Sequence, residues 1–191
     1  KGASSKPFGF MPFYPGPGVG GHCIPLDPLY LSWEARKYNY FSRFIEVASD
    51  INSNMPYYVV NQLSKLLGMQ DKVIKNSRIL LVGMSYKEDI ADLRESPSLE
   101  VYELLRKQRG MVEFYDSYIE SFKYKEETIK RISLTEEGIK QYDVVVILSK
   151  HNNMDYKWLL KNAVLIYDTR NVYKDIENNK IIKLGQNLDM R

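Results

Sequence analysis

Cys23 is the only thiol in the chain, and it lies in "YPGPGVGGHCIPLDP" (14–28), beside His22 and just after Gly16, Gly18, Gly20 and Gly21. A thiol surrounded by such backbone can act as a nucleophile. Amides that carry no Cβ approach a ligand closely, hold charge on sulfur or on a developing oxyanion, and in successive turns favour anions such as a diphosphate. A lone cysteine is equally often a small buried hydrophobe, so on residue type alone both roles stand. Gly16, Gly18 and Gly21 formally match G-x-G-x-x-G, but the context fails. Pro12, Pro15 and Pro17 precede or interrupt the match and Pro25 and Pro28 follow it, where a dinucleotide fingerprint needs a strand and then a helix. A cysteine hydrolase would need a histidine base. Only His22, which points away from Cys23 along an extended chain, and His151 are available, and two histidines leave a metal site short of ligands.

Two further clusters could bind a charged ligand. "GMSYKEDIADLRESPS" (83–98) offers Tyr86, Lys87 and Arg94, and "YDTRN" (167–171) offers Asp168 and Arg170. On spacing alone the first is also read as a solvated charged loop. Two cations on one rim suit a ligand that carries phosphates.

The elements around these clusters place them. Residues 1–28 lack a sustained period and read as an ordered loop. Asp27 as cap and Pro28 in the first turn predict a helix from Asp27. A second apolar stripe runs from near Ser42 through Ile51 and Val59 to Leu67 and stops at Gly68. Pro56 either kinks it or leaves Asn54 to cap a new helix. Its length predicts that part of it packs against something outside the core of this domain.

Beyond residue 71, apolar strands alternate with helices: "RILLVG", a helix capped by Ser96 with Pro97 first, "MVEFYD", a short helix "LTEEGIKQ", "YDVVVILS", a helix "MDYKWLLKN", and "AVLIYDT". This predicts an α/β fold, a doubly wound, mainly parallel sheet over 72–191, preceded by a helical segment and a Gly-rich loop over 1–71. Ligands collect beyond the carboxyl ends of such strands, where Tyr86, Lys87, Arg94 and Arg170 fall.

Composition narrows the classes. The 191 residues are 44% apolar and carry a net charge of +3, with Lys and Arg dispersed among Asp and Glu. Without a basic run, nucleic-acid binding has no support. The longest apolar runs fall far short of the ~20 residues of a membrane span. A single cysteine and no charged-then-apolar leader predict a cytoplasmic protein.

Taken together, "GPGVGGHCIPLD", "GMSYKEDIADLRESPS" and "YDTRN" resemble, in order, three motifs of the C-terminal half of the UDP-glucose/GDP-mannose dehydrogenase family, and the likeness covers essentially the whole chain. The wording of residues 6–36 is most similar to the bacterial branch that oxidises UDP-N-acetylglucosamine at its 6-position for surface polysaccharide synthesis. UDP-glucose and UDP-N-acetylmannosamine dehydrogenases lie nearby, and a non-catalytic nucleotide-sugar-binding module is the further alternative.

The resemblance implies an NAD-dependent four-electron oxidation through a thiohemiacetal and a thioester. It implies Cys23 as nucleophile and Asp27 as the carboxylate that positions or activates water. It also implies substrate contacts from Tyr14, Pro15, Gly16, Pro17, Gly18, Val19, Gly20, Tyr86, Lys87 and Arg170, and cofactor contacts from Cys23, Ile24, Pro25, Leu26 and Arg94. It implies no metal, a homodimer formed through the central helical region, and a separate N-terminal NAD-binding domain that this sequence does not contain. On that basis the 191 residues alone are expected not to turn over.

Overall fold

The computed structural model describes residues 2–188, so residue 1 and residues 189–191, the ends of the two expected domains, lie outside the described residues. A short 3-10 helix, Ala3–Ser5, and an extended segment lead into α1 (Cys23–Ala35). The helix thus begins four residues before the Asp27 start expected from the sequence. The reason is that Pro25 falls in the first turn, where its missing N–H has no intrahelical acceptor to lose. Pro28 is inside the helix rather than at its head.

A 3-10 turn (Arg36–Tyr38) leads through Asn39, at φ 57°, toward α2 (Arg43–Gly68). Neither a break nor an Asn54 cap divides α2. It runs through Pro56 as one helix, and the ring leaves the Asn52 carbonyl without its intrahelical donor. Gly18 packs against that carbonyl.

The remaining elements are β1 (Arg78–Val82), α3 (Pro97–Lys107), β2 (Met111–Tyr115), a hairpin of β3 (Ser121–Tyr124) and β4 (Glu127–Lys130), α4 (Glu136–Ile139), β5 (Val144–Ile147), α5 (Tyr156–Asn162), β6 (Ile166–Asp168) and β7 (Ile181–Lys183). Caps fix the helix starts: the side chains of Ser96, Thr135 and Asp155 accept from Ser98, Gly138 and Trp158 N–H. Five strands form one sheet in the order β2-β1-β5-β6-β7, parallel throughout. One face is covered by α3, the hairpin and the second half of α2, the other by α4 and α5. The fold is therefore the doubly wound α/β arrangement expected, with the antiparallel hairpin and β7 added to it.

The α2 stripe divides in two. Val59, Leu63, Leu66 and Leu67 are buried in the core of the sheet, whereas Phe44, Val47 and Ile51 are exposed. Among the described residues no helix is long and apolar enough to cross a membrane.

Register brings the motifs to one edge. Val82 aligns with Tyr115 and Ile147, and Ile147 with Asp168, so the chain leaves four strands side by side at Gly83, Asp116, Leu148 and Thr169. At Gly83, φ is 85° and a Cβ would collide with the Ser149 backbone, which is how closely the exits of β1 and β5 approach.

Candidate functional site

The Gly-rich loop lies across this rim, and all three motifs meet there. Gly21 N–H donates to the Arg94 carbonyl at 2.9 Å. At φ 91° its Cα faces the Tyr86 ring, where a Cβ would come within 2.7 Å of ring carbon. At the other end of the loop, a Cβ on Gly16 would overlap the Arg170 guanidinium. The loop backbone is thus packed closely against two side chains, the Tyr86 ring at Gly21 and the Arg170 guanidinium at Gly16. Between them, Gly20 packs on Tyr86 and the Glu95 carbonyl.

Arg170 is half-buried, with Nε donating to the Leu148 carbonyl at 2.7 Å and its backbone N–H to Asp168 at 3.1 Å. Among the described residues no carboxylate pairs with it, and burial holds its pKa below the ordinary guanidinium value, opposed by Glu88. A cation kept partly from water without a counter-ion is suited to an anionic ligand. Asp168 does not share that role. It is fully buried and its two oxygens are taken by Arg170 and Tyr173 N–H, so it shapes the turn that presents Arg170.

Cys23 is the first residue of α1 and is exposed. Asp27 follows at i+4, so thiol and carboxylate share one helical face, at an end where first-turn N–H groups have no partner within the helix. Arg94 lies near the thiol, its carbonyl accepting from Gly21 N–H two residues before Cys23. Asp92 grips it through Nε and Nη2 at 2.7–3.1 Å and raises its pKa, and smaller contributions from Tyr86 and Cys23 place its charge near the thiol.

Ile24 and Pro25 turn the other way. With Val19, Phe44, Pro97 and Tyr102 they line an apolar groove of about 880 Å³ between α1, α2, α3 and the hairpin. Tyr14, Pro15 and Lys87 are exposed, Pro17 is buried, and Gly18 and Leu26 are half-buried. Neither histidine bonds to Cys23 among the described residues. His151 is 2% exposed and engaged elsewhere, which removes the support for a Cys–His pair.

Sequence reasoning passed over the groups under the loop. Asp116 accepts from Met84, Ser85, Tyr118 and Ile119 N–H and faces His151 Nε2 at 3.1 Å. The signal available was position: Asp116 immediately follows β2, and His151 stands four residues past Ile147, the last strand residue of the "YDVVVILS" run.

Comparison with known proteins gives the same answer as the geometry. Residues 80–175 match the UDP-binding domain of the UDP-glucose/GDP-mannose dehydrogenase family and residues 1–54 its central domain. The chain is 34% identical over 167 residues to UDP-N-acetyl-D-mannosamine dehydrogenase of Methanococcus vannielii, covering 83% of this chain and 36% of that protein. It is 31% identical over 155 residues to UDP-N-acetyl-D-glucosamine 6-dehydrogenase of Pseudomonas aeruginosa, covering 80% and 35%. The structure of UDP-D-ManNAc dehydrogenase from Pyrococcus horikoshii superposes with a TM-score of 0.76 at 26% identity, over 96% of this chain and 42% of that one. The chain thus spans little more than a third of the length of these curated relatives. With both domain matches falling on the elements that build the rim, the chain belongs to the UDP-glucose/GDP-mannose dehydrogenase family.

Proposed function

We propose that this chain is the catalytic-cysteine and UDP-binding portion of an NAD-dependent UDP-sugar 6-dehydrogenase acting on UDP-N-acetylglucosamine. Residues 1–71 then supply the loop and part of a central dimerising region, and 72–191 the UDP-binding domain. The observation that carries the reading is the closure of the Gly-rich loop between Tyr86 and Arg170, with Cys23 two residues beyond its last contact at Gly21. Arg170 meets the negative charge of the diphosphate, and Lys87 adds a second cation from the exposed side. The amides of residues 16–20 approach the nucleotide sugar, and Tyr14 covers it from outside.

The cysteine then captures an aldehyde at C6. The sulfur of Cys23 adds to the carbonyl carbon and the oxygen takes up a proton, giving a thiohemiacetal. Loss of a hydride and a proton from that adduct gives a thioester, and water oriented by Asp27 displaces the sulfur to release the uronate. Covalent capture keeps the aldehyde in place between the two oxidations. NAD, when bound, supplies the hydride acceptor for each. The residues present fit one edge of such a cofactor, since Arg94 places a cation near Cys23 and the first-turn N–H groups of α1 have no acceptor within the helix. The apolar groove with its Glu95, Glu100 and Glu103 carboxylates does not fit a diphosphate.

UDP-N-acetylmannosamine is the second reading. It is favoured by the M. vannielii relative, and differs from the first only in configuration at C2.

Titration calorimetry tests the binding half of the proposal. The chain is expected to bind both UDP-N-acetylhexosamines and to lose about 10-fold or more in affinity in Arg170→Ala and in Gly16→Val, whose side chain collides with Arg170. Equal affinity of wild type and both variants would contradict it.

A further inference from the structure

The loop that bears Tyr86, Lys87 and Arg94 is irregular from Gly83 to Ser96, with Asp89 and Glu95 in the left-handed region at φ 59° and 49°. Such a loop needs outside support. Much of it comes from one buried imidazole. His151 Nδ1 accepts the Asp89 backbone N–H at 3.0 Å, which places the ring proton on Nε2. Nε2 then faces Asp116 Oδ2 at 3.1 Å and Ser85 Oγ at 3.3 Å, while Ser85 donates to the Lys87 carbonyl at 2.8 Å. Through these bonds His151 ties the exits of β1, β2 and β5 together and fixes residues 85, 87 and 89 around Tyr86 and Lys87.

We infer that His151, which touches no ligand itself, is the positioning residue for the Tyr86–Lys87 loop, and that it holds that loop as the Nε2–H tautomer. An Nδ1–H tautomer would leave the Asp89 N–H facing a donor, so the loop would lose that tie. The other titratable groups facing the ring keep their charge state near neutrality. Asp116 is held at about 2, where burial is outweighed by hydrogen bonds from His151 and backbone N–H groups, and Asp89 is held low by Asn152. Burial pushes Tyr118 up, and pushes Tyr156, which accepts the His151 backbone N–H, up to about 12.

The inference rests on the nucleotide-sugar reading, and the test separates the two. Affinity of the 191-residue chain for UDP-N-acetylglucosamine is measured at about pH 8. His151→Gln can reach Asp116 but offers nothing to Asp89, and is expected to be about 10-fold weaker than wild type. His151→Asn keeps an acceptor at the Nδ1 position, so its affinity is expected to lie within about 3-fold of wild type.

Wild-type affinity in His151→Gln, or His151→Asn as weak as His151→Gln, would overturn the inference. Nitrogen-15 NMR of the wild-type ring needs no variant. It is expected to find the Nε2–H tautomer at about pH 8. An Nδ1–H tautomer would overturn the inference. Wild type that does not bind refutes the nucleotide-sugar reading, and the NMR result alone then decides the loop.

Discussion

Asp116 shows how one buried carboxylate can organise a functional rim. Burial alone would raise its pKa, but His151 and the backbone N–H groups of Tyr118 and Met84 bring it from 3.8 down to about 2. A depressed carboxylate contributes stability that is complete above its unfolded value and is lost as the pH falls through its folded one. The window is therefore from about pH 4 to about pH 2, and the contribution at neutral pH is about 2 kcal/mol. Asp116→Asn is expected to lower the urea midpoint at neutral pH by an equivalent amount, with the gap to wild type closing across that acid window. A gap that stays constant down to about pH 2 would mean that the carboxylate charge is not what the surrounding amides hold. Residue types alone pointed to Cys23, Tyr86 and Arg170. They could not reveal Asp116 and His151, because that pair is 35 residues apart in sequence and is joined only when β2 and β5 both flank β1.

At the scale of elements, α2 carries two faces in succession. Its second half is core, but Phe44 is 92% exposed and Val47 and Ile51 stand beside it on the helix, an apolar surface that water disfavours. If this is the dimerising region, the chain is expected to sediment as a dimer at micromolar concentration. Phe44→Glu with Ile51→Glu is expected to shift it to a folded monomer with native circular dichroism, since neither side chain is in the core. A wild-type monomer throughout that range would contradict the assignment. The elements were unevenly legible in the sequence. Strands β1, β5 and β6 are buried on both faces and read as continuous apolar runs, and Ser96 with Pro97 marks the start of α3. The β3–β4 hairpin was not legible because only Phe122 is buried in "SFKY" and no residue of "ETIK" is fully buried, and β7 is three residues long. The start of α1 was misplaced because prolines read as breaks until their turn position is known.

At the scale of the whole molecule, topology converts three separated motifs into one surface. Four parallel strands end in register, and the chain segments that leave them carry Tyr86, Asp116, His151 and Arg170, against which the Gly-rich loop closes from the helical side. The proposed function needs such a surface, with the nucleotide sugar on the rim and its C6 turned toward Cys23. The chemistry is tested most directly by counting NADH released per molecule of UDP-N-acetylglucosamine by this chain joined to the NAD-binding domain that the proposal requires, with Cys23→Ser measured in parallel. Two NADH per sugar from wild type, and no uronate from Cys23→Ser, is the result predicted. No NADH from any UDP-N-acetylhexosamine, or uronate formed at the wild-type rate without the thiol, would contradict the account and leave Cys23 a structural residue.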